Sequence, residues 1–345
     1  MSGVDPQSVP GPGPGAIADQ LRGVLDGATN AASGSGATNA ASGSDATGGD
    51  GPVPLEDLRR FRSDLEVAAD RAVALLDGHS PTEDVGECPA AIGPPLRLPK
   101  GRVIALTDCE RFAFASARPD PAPELDDPPL RLLAGRALDV YVEHEIVEGP
   151  IGQPLEDLLS WLDAEGEHDV RDQVIAAGER LQLERLASAA RAWSGLDPSW
   201  WPRTQARAAV HLADGLVLCE GRTDVELGGP LAGRPAVVVE VKLGRPHAHH
   251  LAEATHYALL TALRDGRAPV VVARWYPGGA LATMAVTSDV LESAARRLGA
   301  AIDAWAELAV GRPPRERPGP ACSWCPDAGV CPSFAPAPDP FGVDA

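Results

Sequence analysis

The chain has 345 residues, 44% of them hydrophobic and 4% aromatic, which is enough apolar material for one large domain or two ordinary ones. Its formal charge of −19 excludes nucleic-acid binding by bulk attraction. The acidic excess lies in residues 1–200 and the remainder is near neutral, so any such contact is local to the C-terminal part. No stretch approaches the roughly twenty apolar residues of a membrane span. The start, MSGVDPQSVPGPGPG, lacks a basic n-region and an apolar core, so a cytoplasmic protein is expected.

Residues 1–52 are low in complexity, with GATNAASGS at 27–35 repeated at 36–44. Such a composition buries too little apolar surface to offset its ordering entropy, and a disordered tail is expected, with a transient helix at 16–25. Residues 53–100 read as a helical arm and a Pro-rich linker; Leu55, Leu58, Phe61, Leu65, Ala68, Ala72 and Leu75 recur at helical spacing within 54–77. A short helix is expected near Cys109, a longer one over 130–147 and a helical region over 155–192. The period then changes. Residues 206–212, 216–225 and 235–243 read as strands separated by Asp214-Gly215 and Gly228-Gly229-Pro230 turns. A helix at 248–265, strands at 270–276 and 281–286, and a helix at 289–310 ended by Gly311 and Pro313 complete a mixed α/β arrangement. Residues 335–345 read as a loose tail.

All but two of the 30 basic residues are arginine; the exceptions are Lys100 and Lys242. A lysine kept against that background marks a place where a compact, tunable ammonium is needed. Lys242 belongs to the run Val237-Val-Val-Glu-Val-Lys-Leu243. Side chains alternate along a strand, so Val237, Val239 and Val241 share one face while Val238, Glu240 and Lys242 share the other, with Glu240 and Lys242 about 6.6–7 Å apart. Charges in so apolar a strand cost several kcal/mol unless they are partnered or functional. An edge strand with one solvated face is the plainer reading of the pair alone.

The order Gly221-Arg-Thr-Asp224, Glu240-Val-Lys242 and Glu253-Ala-Thr-His-Tyr257 resembles the PD-(D/E)XK nuclease superfamily, in particular its RecB-like branch, over residues 101–334. The resemblance implies a restriction-endonuclease-like α/β core of helix, three strands, helix and strand, with a helical insertion. It also implies a deoxyribonuclease dependent on Mg2+ or Mn2+, acting on single-stranded or end-containing DNA. Two positions depart from the family pattern. Gly135-Arg-Ala-Leu-Asp139 carries Asp where the family has His, with His144 as a fallback ligand, and Glu253 stands where Gln is usual.

Clustered carboxylates hold hard cations. On this reading Asp139, Asp224 and Glu240 are the metal ligands, joined by the backbone carbonyl of Val241, and Lys242 orients or activates the attacking water. Tyr257 either packs its helix on the sheet or, with Arg245, touches DNA. The histidines of Pro246-His-Ala-His-His250 read as a polar helix start. Trp193, Trp200 and Trp201 read as core, with base stacking as the alternative, and Arg274, Arg296 and Arg297 as solvated or on a phosphate path.

Cys322-x2-Cys325-x5-Cys331 has the compact spacing of a cluster or metal site. The relatives with an iron–sulfur cluster, the AddB nuclease domain and CRISPR adaptation nucleases, take a fourth ligand from far upstream, and Cys109 in Leu106-Thr-Asp-Cys-Glu-Arg-Phe112 fits that place. The resemblance therefore implies a [4Fe–4S] staple in the C-terminal tail on Cys109, Cys322, Cys325 and Cys331; zinc fits the same ligands. Cys219 reads as core and Cys88 as incidental. No P-loop is present, so any helicase is a separate partner. The competing class is a non-catalytic cluster-bearing scaffold that binds DNA or a helicase, and a structure-specific defence endonuclease is the competing enzyme.

Overall fold

The computed structural model describes residues 13–32, 52–78, 95–118, 130–279 and 281–335. Among them a six-stranded mixed sheet carries helices on both faces. Its spine is β3 (Val217–Gly229). Along one edge of β3 runs β2 (Arg203–Leu212), antiparallel, from Leu212 opposite Val217 to Arg203 opposite Glu226. The other edge is shared. The short strand β1 (Leu96–Pro99) lies parallel beside Val217–Glu220, and β4 (Arg234–Val241) lies antiparallel beside Val225–Gly229. β5 (Val271–Trp275) adds parallel to β4, and β6 (Ala282–Ala285) closes the sheet antiparallel.

This register creates a fork. β1 and β4 run towards each other along the same edge of β3 and both end short of its residues 221–224. The residues that leave the ends of β1 and β4 must therefore meet over that gap.

One face of the sheet is covered by α2 (Leu55–Asp77), α3 (Lys100–Asp108), α4 (Glu110–Ala115), α9 (Ala248–Asp265) and α10 (Ser288–Ala309). α2 and α10 pack together through Phe61 and Leu65 on one side and Leu298, Ile302 and Trp305 on the other, each fully buried side chain contributing on the order of 1.5–3 kcal/mol. The Thr287 hydroxyl accepts from the Val290 N–H and fixes where α10 begins. The other face carries α1 (Ala16–Ala32), α5 (Leu130–Val147), α6 (Pro154–Ala164), α7 (His168–Ala177) and α8 (Leu183–Ala190). Val237, Val239 and Val241 of β4 point into this second core and Val238 into the first, the alternation expected from the sequence.

Two expectations are corrected. Part of the segment 1–52 expected to be disordered is α1, a settled helix rather than the transient one expected at 16–25; its Ile17, Leu21 and Leu25 are buried in the second core, where α1 packs on β4 and on Arg191–Trp193. Their spacing of four residues puts all three on one helix face, so this piece does bury apolar surface. Within the expected Pro-rich linker, Leu96–Pro99 is a sheet strand, with Leu96 and Leu98 buried. Trp193 and Trp200 are core residues, while Trp201 is exposed. Cys219 is fully buried in β3, and burial pushes its thiol up to about 12. Cys88 and the tail from 336 lie outside the described residues, and no described helix is long and apolar enough to cross a membrane.

Candidate active site

The fork in the sheet gathers the charged residues. Asp224 lies in the gap of β3, and its Oδ2 accepts a hydrogen bond from the Val241 N–H at 2.7 Å. That bond ties the end of β4 to the acid of the neighbouring strand, so Asp224 and the Glu240/Lys242 pair stand together. Lys242 comes directly after β4, and its Nζ is 2.7 Å from Glu240 Oε2 and 2.7 Å from Glu253 Oε2. Glu253 comes from the second turn of α9, which crosses the fork. Asp139 of α5 approaches from the other side, near enough for its charge to act on Asp224 and for Lys242, Glu240 and Lys100 to act on it.

Four carboxylates thus face the fork, three of them, Asp139, Asp224 and Glu240, near enough for their charges to act on one another. Burial pushes Asp139 up to about 6, with Glu240 adding to the rise and Lys242 and Arg136 opposing it. Asp224 is raised well above the carboxylate range by burial and then by Glu240 and Asp139. Burial works against ionised Glu253 too, but Lys100 and Lys242 outweigh it and hold its pKa down at about 2. For Lys242 the acids Glu240, Glu253 and Asp224 overcome burial and raise its pKa, so it is an ammonium. Glu240 is fully buried, and its Oε1 meets no hydrogen-bond donor. Buried carboxylates that repel one another, one of them with an orphaned oxygen, have the chemistry of a hard-cation site. The donor set fits Mg2+ or Mn2+. Among the described residues, no three His, Cys, Asp or Glu side chains stand close enough together to hold an ion as they lie.

Two motifs that looked separate in the sequence prove to be one contact. The ring of Tyr257, on α9, lies against the backbone of Gly221: a β-carbon added at that glycine would fall 2.6 Å from Tyr257 Cε1. Glycine at 221 lets the ring seat on the strand beside Glu240. Tyr257 is only 3% exposed, so the packing role holds and the expected DNA contact is corrected: no face of the ring is open to a base. Arg245 is exposed in the loop leading to α9.

His144 does not join the carboxylates. Its ring stacks on Trp161 and its Nδ1 pairs with Glu148 at 3.1 Å, which removes it as a fallback ligand. The His247 side chain caps α9, accepting from the His249 N–H, as a polar helix start would. His249 pairs with Asp108 and His250 with the Tyr276 hydroxyl. Arg297 bonds Ala252 O and the Thr255 hydroxyl and so fastens α10 to α9, away from any phosphate path.

Sequence reasoning missed Lys100 as a site residue. It is the first residue of α3, directly after β1, and its Nζ is 3.2 Å from Glu253 Oε2 and 3.8 Å from Glu240 Oε2. The signal was present, since the scarcity of lysine applies to Lys100 as much as to Lys242.

At the far end of α3, Cys109 breaks the helix with an extended backbone before α4. Cys109, Cys322, Cys325 and Cys331 line one pocket, and no disulfide forms among the described cysteines. The Arg317 N–H points at Cys109 Sγ and the Gly319 N–H at Cys322 Sγ, both at 3.5 Å. The tail holding three of the cysteines is tied down by ion pairs. Asp327, 4% exposed, receives Arg111 and Arg118, and Arg312 reaches Glu110.

No family model and no curated protein matches the chain. Solved structures similar to it at low levels include the following two. SSO0001 is 14% identical with a TM-score of 0.30, over 59% of this chain and 96% of its own. The Eubacterium rectale protein named "Putative exonuclease" is 12% identical with a TM-score of 0.40, over 71% of this chain and 91% of its own. Likeness at this level assigns no activity, so function has to be read from the residues of the site.

Proposed function

We propose that the protein is a metal-dependent nuclease that hydrolyses phosphodiester bonds, with single-stranded or end-containing DNA as substrate. The observation that carries the reading is the convergence of Asp139, Asp224, Glu240 and Lys242 at the fork between β1 and β4. Asp139, Asp224 and Glu240, with the Val241 carbonyl, are the residues that would hold Mg2+ or Mn2+, which supplies charge relief at phosphorus and a more acidic water. Lys242, fixed between Glu240 and Glu253, directs an ammonium at the attacking oxygen and at the charge that develops on the phosphate. The buried walls exclude bulk water, so each of these interactions acts at a low effective dielectric. Arginine would serve poorly at 242, because its wide fork would not fit between two carboxylates that each stand 2.7 Å from a single nitrogen.

The deciding experiment is degradation of labelled single-stranded DNA with Mn2+ or Mg2+, wild type against Lys242→Ala. Loss of on the order of 100-fold or more in rate is expected for the variant. Equal rates, or no metal-dependent cleavage by the wild type, would overturn the reading in favour of a non-catalytic scaffold.

The four cysteines support a second element of the proposal, a sulfur-ligated [4Fe–4S] cluster that staples the tail to α3 and α4. All four donors are soft, two face backbone N–H groups, and the surrounding ion pairs already bring the tail into place. Protein purified without oxygen should be brown and should bleach in the Cys325→Ser variant. Colourless protein carrying zinc would replace iron and leave the nuclease reading standing.

A further inference from the structure

The chain keeps lysine at two positions and arginine at every other basic one, and the fold brings both lysines to the same carboxylate oxygen. Glu253 Oε2 stands 2.7 Å from Lys242 Nζ and 3.2 Å from Lys100 Nζ. The two ammonium groups arrive from opposite sides of the fork, one at the end of β4 and one just after β1. Lys100 also lies 3.8 Å from Glu240 Oε2 and over the Tyr257 ring, 5.1 Å from its centroid. We propose that Lys100 is a second lysine of the reaction centre: a positioning residue that neutralises Glu253, so that Glu253 can hold Lys242 without adding negative charge where an anionic phosphodiester must approach. This rests on the nuclease reading above.

The charge count gives the reason. Asp139, Asp224, Glu240 and Glu253 carry four negative charges when ionised, and Lys242 and Lys100 carry two positive ones. The remaining two negative charges match one divalent cation. Without Lys100 the centre would hold a third, facing the substrate phosphate. An ammonium meets this need better than a guanidinium. It is compact and donates in three directions, so it can share one oxygen of Glu253 with Lys242. A planar fork at position 100 would take both oxygens of Glu253 and draw it away from Lys242.

The test is a double-mutant cycle on the full-length protein: wild type, Lys100→Met, Glu253→Gln and the double variant. Each is assayed for Mn2+ binding by calorimetry, for kcat and KM on a single-stranded oligonucleotide, and for urea unfolding. Lys100→Met should bind Mn2+ more tightly, and Glu253→Gln more weakly, each by on the order of tenfold. Both should lower kcat by on the order of tenfold with KM little changed. The double variant restores the charge count, so its Mn2+ affinity should return to within about threefold of wild type and its kcat should partly recover. A purely structural Lys100 would move the unfolding midpoint and leave Mn2+ affinity and kcat alone, and that result, or strict additivity of the two losses in kcat, would overturn the proposal. Lys100→Arg keeps the charge and should keep Mn2+ affinity while losing kcat. If Lys100→Met does not fold, wild-type kcat in Lys100→Arg overturns the proposal by itself. A wild type that cleaves while the losses in kcat are additive sinks Lys100 alone. A wild type with neither cleavage nor Mn2+ binding sinks both readings.

Discussion

Replacing Gly221 by alanine tests whether the site is built as described. Ordinary carbon contacts lie at about 3.5–4.0 Å, and the new methyl would stand 2.6 Å from Tyr257 Cε1 and 3.3 Å from Cζ. The overlap is therefore close to 1 Å, against a ring that is 3% exposed and cannot swing into solvent. Overpacking of this kind costs about 1–3 kcal/mol. The gain in chain entropy from glycine to alanine in a strand offsets about 0.5–1 kcal/mol of that, so a net loss of about 1–2 kcal/mol is expected. The cause is isolated by repeating the change in a Tyr257→Ala background, where the methyl meets no ring and the substitution should be neutral or slightly stabilising. Urea unfolding of the four proteins gives the coupling, expected at about 2 kcal/mol. In the single variant the displaced ring also disturbs Lys100, so cleavage should fall by more than the stability loss explains. Equal costs of Gly221→Ala in both backgrounds would refute the contact between strand and ring.

Other consequences are as direct. Asp224→Asn keeps an acceptor for the Val241 N–H but removes one of the repelling charges, so in EDTA it should unfold about 1 kcal/mol later than wild type while losing cleavage; a destabilised variant would contradict the crowding of acids. Asp327→Ala strips Arg111 and Arg118 of a shared, buried partner, at a cost of about 1–3 kcal/mol; proteolysis between 312 and 331 and thiol labelling of Cys325 should both speed up, and unchanged rates would show that the tail is held by something else. His256 is fully buried with neither ring nitrogen hydrogen-bonded, and burial pushes its pKa down to about 3. Below about pH 6.5 the unfolded chain takes up a proton that the folded one refuses, so stability falls as pH drops towards 3. Between pH 7 and 5 this amounts to about 2 kcal/mol, which His256→Leu should abolish in urea titrations at the two pH values.

How much of this was legible in the sequence depended on the range of the contact. β4 announced itself through its run of valines, and Glu240 and Lys242 through the cost of placing charges there. Asp224 was reachable because the hairpin between β3 and β4 is local. Asp139, by contrast, rested on resemblance alone, since nothing in the periodicity of α5 singles it out. Lys100 meets Glu253 across 153 positions of chain, after a strand of only four residues, LRLP, that resembles any Pro-rich linker. The fork itself is a property of register, which side-chain alternation constrains only to odd or even. α1 was legible only as a transient helix at 16–25, because its repeat-rich, Gly- and Ser-rich surrounding gave no sign that Ile17, Leu21 and Leu25 are buried against the sheet.

The pairing of the only two lysines at one carboxylate gives the protein a built-in spectroscopic handle. Reductive methylation with isotope-labelled formaldehyde leaves the positive charge of each amine in place and modifies nothing but amines. Apart from the α-amine, its signals can come only from Lys100 and Lys242. An NMR spectrum of the treated protein would therefore watch ions and nucleotides arrive at the fork through two resonances, free of the crowding that a surface rich in lysine imposes on most proteins.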